Sequence, residues 1–416
     1  MARKKFSKKE AVSEVKAMFS DNPDYVRQLL QELCQNIMEE ERTEFLKAGI
    51  YERTGKRQGY RTGYKPKTLK TRVGKLELSV PRVRDSLFYP TLFEKYQRSE
   101  KALNLALMEA YIQGVSTRRM KKITEQLCGT EFSAGTISNL AKTLDEELDK
   151  FRNRDLSSSV YKYLVIDARY EHVRQGGFVV NQAVLMIAGI NEDGKREILG
   201  VEIANIESEA TWGDIFSRLK ERGLHGVEFI VSDGHKGIRE AVKKHFTGCI
   251  WQRCRVHYIR NIMGMVGRKD RKGVVKALKY IWDSEMLEEA RQKVQEVVKF
   301  YEDKIPKVAD KIESDIEETL NVLALPPGHR RRMSNTNMLE RLSESVKQRT
   351  KVARIFPNDQ SCLRLTTAVL LEIHEDWICS GQYLNMSSDA AENVEGTEKS
   401  DFCQKDFVFN PQLINA

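Results

Sequence analysis

Two rhythms of hydrophobic and polar positions alternate along this chain, and the change between them divides it. Val26, Leu29, Leu30, Leu33 and Ile37 recur at helical spacing, with Asn22 or Asp24 placed to cap the start. The stretch KLELSVPRVRD (75–85) alternates every second residue as a strand does, and Pro81 marks an edge or an end. Residues 100–150 return to the helical period. Leu103, Ala106, Leu107, Ala110 and Tyr111 mark one face of a helix that Gly114 ends, Ser116 caps STRRMKKITEQL, and Ser133 caps SAGTISNLAKTLDEEL after the turn CGTEF. Two capped helices joined by a short glycine-containing turn match a helix-turn-helix, although any small helical bundle shares that pattern. In that reading Thr136, Ser138 and Asn139 lie early in the recognition helix, within reach of base edges.

From about residue 159 the pattern becomes α/β. VYKYLVIDARYEHV, FVVNQAVLMIAGIN and REILGVEIAN read as three strands, the last two joined by the turn signal Asn191-Glu192-Asp193-Gly194. A helix with apolar Trp212, Ile215, Phe216 and Leu219 follows, then the strand VEFIVSDG, the helix IREAVKKHF and the strand CIWQRC. That order is the order of the RNase H-like fold, a mixed sheet with helices on its faces. Residues 258–325 carry only helical patterns, which Pro326, Pro327 and Gly328 stop. In SNTNMLERLSESVKQR, Met338, Leu339, Leu342 and Val346 form one apolar stripe, and helix geometry puts Glu340 nearly opposite it, on the face of Lys347.

At 416 residues the chain is too long for one ordinary core. The patterns divide it into a helical and basic DNA-binding region (1–85), a helix-turn-helix-like domain (86–158), a first part of an RNase H-like core (159–257), a helical insertion (258–325), a second part of the core carrying a glutamate (326–384), and an acidic tail (385–416) expected to be disordered. The fold class expected is therefore an α/β core with an all-helical insertion, preceded by helical DNA-binding domains. No run approaches the roughly 20 apolar residues of a membrane span, and MARKKFSKKE lacks the apolar segment of a secretory signal. Seven scattered cysteines without a CxxC pair argue against a disulfide framework. A cytoplasmic protein is expected.

Net charge is +9, and its location says more than its total. Residues 51–85 hold eleven Lys or Arg against three Asp or Glu, with tyrosines and glycines interleaved, as a segment tracking a phosphate backbone would. A solubilising face is the plainer alternative.

Three acids stand out in that basic context: Asp167 after YLVI, Asp233 after FIVS, and Glu340 in TNMLERL. Phosphodiester cleavage must bring a nucleophile against an anion and let an alkoxide leave, and two metal ions about 3.5–4 Å apart serve both ends. Magnesium takes oxygen ligands and keeps waters, so two or three carboxylates suffice. Parallel neighbouring strands would set Asp167 beside Asp233. Each acid also has a structural reading. Asp233 precedes Gly234 as turn aspartates do, Glu340 fits the third position of a capping box begun at Asn337, and Glu344 is a rival one turn on.

The contexts resemble the Mutator-type transposases of bacterial insertion sequences. RTGYKPKTLKTRVGKLELSVPRVRD, EKYQRSEKALNLALMEAYIQGVSTRRM, IESEATWGDIFSRLKERGLHGVEFIVSDGHKGI, RCRVHYIRNI, TNMLERL and IFPNDQSCLRL run in that family's order from about residue 25 to 380. The resemblance implies Asp167, Asp233 and Glu340 as a metal-binding Asp-Asp-Glu triad, with a helical insertion before the glutamate. It implies two Mg2+ ions per site, replaceable by Mn2+, double-stranded DNA (terminal inverted repeats and target) as partner, a dimer or larger assembly on that DNA, and a nucleoid-associated place of action. Cys254 and His257 match its Cys-x-x-His element. Two further ligands for zinc are missing, so buried packing or substrate positioning suits Cys254, and His257 is either a phosphate contact or a satisfied core histidine. Arg341, Lys347 and Arg349 flank Glu340 as candidate DNA contacts, or as a solvated helix face. The run Ala168-Arg169-Tyr170-Glu171-His172 departs from the family's usual residues after the first aspartate. A non-catalytic DNA-binding derivative and a structure-selective nuclease are the alternative functions.

Overall fold

The computed structural model describes residues 25–84, 88–92, 99–129, 131–351 and 354–386. The candidate caps Asn22 and Asp24 and nearly all of the acidic tail lie outside them. Two compact units divide at Thr143 and Leu144, so the expected boundary at 158/159 falls inside the second unit.

The first unit opens with helix α1 (Tyr25–Leu46) and a hairpin of β1 (Tyr60–Thr71) and β2 (Gly74–Arg84), paired antiparallel. The strand read at 75–85 is present as β2, and the basic segment before it, read only as a run of charge, is its partner. The basic segment is itself a strand, because its partner's alternation of Leu76, Leu78 and Val80 gives it an apolar face to lean on. Pro81 sits within β2, tolerated in a two-stranded sheet where both strands are edges. The buried face of α1 also differs from the predicted stripe. Cys34, Met38, Arg42 and Leu46 turn inward, whereas Leu29, Leu33 and Ile37 are exposed. An inward arginine, bonded to Glu39 and Tyr64, hides this face from a hydrophobicity count.

Helices α2 (Lys101–Ile112), α3 (Thr117–Cys128) and α4 (Ala134–Lys142) share a core of Leu103, Leu107, Met120, Phe132 and Ile137. The caps are those predicted: Ser116 accepts from Arg119 N, Ser133 from Thr136 N, and Gly129 closes α3 in the left-handed conformation at φ 57°. The stretch from Ser133, predicted as one helix, is two. It breaks at Thr143–Leu144, and α5 (Asp145–Arg152) joins the second unit, where Asp145 takes a two-pronged bond from buried Arg364.

The second unit is built on a mixed five-stranded sheet: β3 (Tyr161–Gln175), β4 (Phe178–Asn191), β5 (Arg196–Ala204), β6 (Phe229–Ser232) and β7 (Ile250–Arg253). Its spatial order is β5-β4-β3-β6-β7, the first three antiparallel and the last two joining parallel. Helices α6 (Glu209–Glu221) and α7 (Lys236–His245) supply the crossovers, and Trp212, Phe216 and Ile238 pack with Leu164, Ile166 and Ile187 of the sheet. Because side chains alternate along a strand, Tyr163, Val165 and Asp167 point to the opposite face.

Between β7 and the glutamate-bearing helix lies the expected helical block: α8 (Arg255–Met263), α9 (Arg271–Trp282), α10 (Leu287–Glu302) and α11 (Pro306–Asp315), with their own core around Tyr258, Leu278, Val297 and Ile312. Its end is two 3₁₀ turns over 316–324. Pro327, read as a stop, instead starts the short helix α12 (Pro327–Met333), since a first helical residue needs no N–H partner. Helices α13 (Asn337–Thr350) and α14 (Asp359–Cys379) complete the unit, and Met338, Leu339, Leu342 and Val346 of α13 are buried as predicted. Among the described residues, no helix is long and apolar enough to cross a membrane.

Candidate active site

The parallel pairing of β3 with β6 matches Tyr163 to Phe229, Leu164 to Ile230 and Val165 to Val231. Continued by two residues, that register runs Asp167 opposite Asp233; Asp167 lies within β3, which runs on to Gln175, and Asp233 directly follows the end of β6. Asp233 also does the turn work that its Gly234 neighbour suggested: its Oδ1 accepts from His235 N at 3.0 Å. The turn reading and a site role are compatible, since a carboxylate accepts several bonds.

Glu340 reaches the same region from α13. The capping-box reading fails, because the cap position is Thr336 and its side chain makes no cap bond. Cys254 fixes where this helix starts. Its buried sulfur accepts from Thr336 N at 3.3 Å and from Thr336 Oγ1 at 3.4 Å, and Arg255 N donates to Ser334 O. Further along, Arg169 donates to Glu171 and to Ser343 O, and Thr350 donates to Glu171, so β3 and α13 are tied side by side. These bonds give Glu171, which looked like a departure near Asp167, a bracing position between the two elements.

Burial foremost pushes Asp167 up to about 7; His257 opposes this, and Asp233 and Glu340 add to it. His257 moves upward too, chiefly through the Cys254 sulfur, with Asp167 and Asp233 adding, against its burial. Its Nδ1 is buried with no aligned hydrogen-bond partner, although the thiol is near enough to favour the charged ring. Burial alone would raise the Cys254 thiol, but bonds from His257 and Thr336 outweigh it and hold the group below its ordinary value. The three acids share this electrostatic neighbourhood without converging on one point. Among the described residues, no three His, Cys, Asp or Glu side chains stand together closely enough to hold a metal ion. The donor set nevertheless suits a hard divalent cation: all carboxylate oxygen, and more negative charge than Asp167 accommodates in its ionised form.

A cleft of about 610 Å³ opens here, lined by Asp167, Glu340 and Glu344 and rimmed by the cations Arg169, Arg260, Arg341 and Lys347. Glu344 is paired with Lys347 at 3.8 Å, whereas Glu340 Oε1 stands 3.7 Å from His257 Nε2 and 3.2 Å from Arg260 Nη2. Of the predicted DNA contacts, Arg341 and Lys347 face the cleft. Arg349 does not: both its terminal nitrogens bond Glu372 of α14, at 2.6 and 2.9 Å. In the first unit Ser138 and Asn139 are exposed on α4, while Thr136 Oγ1 is 2.9 Å from Ser133 Oγ and so shares in the cap.

Two residues of this neighbourhood escaped the sequence reading. Arg260 lies three residues after His257, a spacing that puts both on one helical face and could have been noticed. Glu207 is nearly buried, bonded by Trp212 Nε1 at 3.3 Å and Tyr170 Oη at 3.4 Å, and its carboxyl is raised first by burial and then by Asp233. It sits in the turn before α6, where no periodicity marks it.

Fold and cleft together define an α/β protein with a buried carboxylate site under a cationic rim. The chain belongs to the Mutator family of transposases, whose family model matches residues 1–380. It is 46% identical over 378 residues to the transposase for insertion sequence element ISRM5 of Rhizobium meliloti, covering 91% of this chain and 95% of that protein. It is 41% identical over 370 residues to the transposase for IS256 in transposon Tn4001 of Staphylococcus aureus, covering 88% and 95%. The transposase for IS406 of Burkholderia multivorans is 40% identical over 374 residues, covering 89% and 96%. Among solved structures, the Drosophila P element transposase strand transfer complex aligns over 69% of this chain and 84% of that one, at 12% identity and a TM-score of 0.30, too low to carry an argument.

Proposed function

We propose that this protein is the DNA transposase of an insertion sequence, binding the terminal inverted repeats of its element and carrying out strand cleavage and strand transfer with Asp167, Asp233 and Glu340. The observation that carries the reading is the β3–β6 register, which runs Asp167 opposite Asp233, together with the cleft that Asp167 shares with Glu340. In this reading the sheet is an RNase H-like core that carries Asp167 within β3 and Asp233 just past β6, and the Cys254–Thr336 and Arg169–Ser343 bonds tie the helix of Glu340 beside it. Asp167, Asp233 and Glu340 would hold Mg2+, which when bound activates a water or 3′-hydroxyl nucleophile and stabilises the leaving oxygen. His257, close to Asp167 and Glu340 and shifted toward its charged form by the Cys254 sulfur first and then by the acids, fixes the carboxylates before DNA arrives. Arg341 and Lys347 take phosphate oxygens along the cleft, by charge rather than by sequence.

End recognition falls to the first unit. The outward cations and tyrosines of β1 follow the phosphate backbone, and Ser138 and Asn139 of α4 read base edges. Cleaving two ends of one element calls for at least two copies of the chain on DNA, and Mn2+ is expected to replace Mg2+.

The test is cleavage of labelled terminal-repeat DNA in Mg2+. Wild type nicks the end, while Asp233→Asn and Glu340→Gln bind it and leave it intact. Nicking at the wild-type rate by either variant removes the triad assignment. Binding without nicking by wild type, in Mn2+ as well, favours a non-catalytic DNA-binding protein.

A further inference from the structure

Glu340 faces the nitrogens of His257 and Arg260 of its own chain. Its Oε1 lies 3.7 Å from His257 Nε2 and 3.2 Å from Arg260 Nη2, and the two side chains come from one face of α8, three residues apart. They differ in freedom. His257 is largely enclosed beside Cys254, whereas the Arg260 side chain is 63% exposed on the rim of the cleft. An exposed ion pair is cheap to break, and a flexible arginine head can move to a new anion while its stem stays packed. A guanidinium is also well shaped for phosphate, forming paired N–H bonds to its oxygens.

We propose that Arg260 is a phosphate-binding residue held in reserve by Glu340. In the DNA-free protein its guanidinium occupies Glu340 Oε1 and competes there with a divalent cation. When the cation takes that carboxylate, Arg260 turns outward along the rim to a phosphate oxygen of the bound strand. Cation and DNA thereby favour one another's binding, and neither loads fully alone. This rests on the assignment of Glu340 as a cation ligand, and it adds a residue and a coupling that the assignment does not contain.

The experiment reads binding, not turnover. Mn2+ is titrated into DNA-free full-length protein and free Mn2+ is followed by electron paramagnetic resonance. A fluorescein-labelled random-sequence duplex is then bound by anisotropy in Ca2+ over a range of salt. Arg260→Gln, which keeps length and polarity without charge, is expected to bind Mn2+ severalfold more tightly than wild type. It is expected to bind the duplex more weakly, with the salt slope reduced by about one phosphate contact. Arg260→Lys, which keeps the charge, falls between the two in both measurements. Mn2+ affinity unchanged or weakened in Arg260→Gln overturns the proposal, as does an unchanged salt slope. Glu340→Gln separates this failure from that of the underlying assignment: if it titrates with Mn2+ as wild type does, Glu340 is no cation ligand and both ideas fall. Melting curves of each variant show that the fold is kept, and Arg260→Lys alone carries the test should Arg260→Gln not fold.

Discussion

Arg169 Nη1 donates to the carbonyl oxygen of Ser343 at 2.9 Å, joining the strand that bears Asp167 to the helix that bears Glu340. The same guanidinium bonds Glu171, which also accepts from Thr350 at the far end of that helix. Asp167 and Glu340 are separated by most of the second unit in sequence, so this brace fixes their spacing far more directly than the chain between them.

Arg169→Ala is therefore expected to lower end cleavage by up to about a hundredfold through misplacement of Glu340. It also leaves the Glu171 carboxylate, 11% exposed, without its cation, a loss of about 1–3 kcal/mol in stability. Terminal-repeat affinity serves as the control. A brace leaves it near wild type, whereas a fall in affinity matching the fall in cleavage would make Arg169 a DNA contact instead.

Asp167 is raised to about 7 by burial, against 3.8 for a free aspartate. A group raised on folding contributes stability that is complete below its unfolded value and lost as pH rises through its folded one. In the absence of divalent cations, Asp167→Asn should therefore be more stable than wild type at pH 8, by about 4 kcal/mol at most, with the gain gone by pH 4. Added Mg2+ should raise the melting temperature of wild type at pH 8 and leave the variant's unchanged. Equal melting temperatures for the two proteins at pH 8 without cations would refute a strained carboxylate at this position.

Much of this arrangement was legible in the sequence. Runs such as YLVI and FIVS mark buried strands leading into Asp167 and Asp233, although β3 runs on past Asp167 to Gln175, and Ser116, Ser133 and Gly129 punctuate their helices as expected. The apolar stripe of α13 located Glu340 on the free face. What stayed hidden depends on polar groups turned inward. Arg42 on the buried face of α1 and Arg364 under α5 carry no hydrophobic signal, so the first face was misjudged and the second unit's boundary placed too late. The partners of Glu340 on α8 are set by tertiary packing between segments some eighty residues apart, which no local rhythm records.

Gly234 follows Asp233 for a reason beyond turn formation. A Cβ there would lie 2.4–2.8 Å from the guanidinium of Arg253, and that group is not free to retreat. Its side chain is 8% exposed and its Nη1 is held by Asp315 at 3.0 Å and Glu318 at 3.1 Å, on the helical block. Gly234→Ala should cost about 1–3 kcal/mol and reduce cleavage by displacing Asp233. Arg253→Ala makes room for the methyl group, so the double variant should be less destabilised than the two single effects summed, by about 1 kcal/mol. Denaturant unfolding of the four proteins gives the cycle, and strict additivity would place the clash elsewhere.

His374 anchors the opposite end of the sheet. It is buried on α14, its Nδ1 accepts from Ile198 N of β5 at 3.3 Å, and Phe151 of α5 packs against its ring at 5.0 Å. Burial, with Arg154 adding, lowers it from 6.5 to about 4. For a group depressed on folding, the contribution is present above the unfolded value and lost as pH falls through the folded one. Stability should thus decline between pH 6.5 and 4 by about 3 kcal/mol from this residue. His374→Asn can still accept from Ile198 N but cannot take up a proton, so its stability should fall less over the same range while being lower than wild type at pH 7 through lost packing. Urea unfolding at half-unit pH steps compares the slopes, and parallel curves for the two proteins would assign the acid sensitivity to other groups.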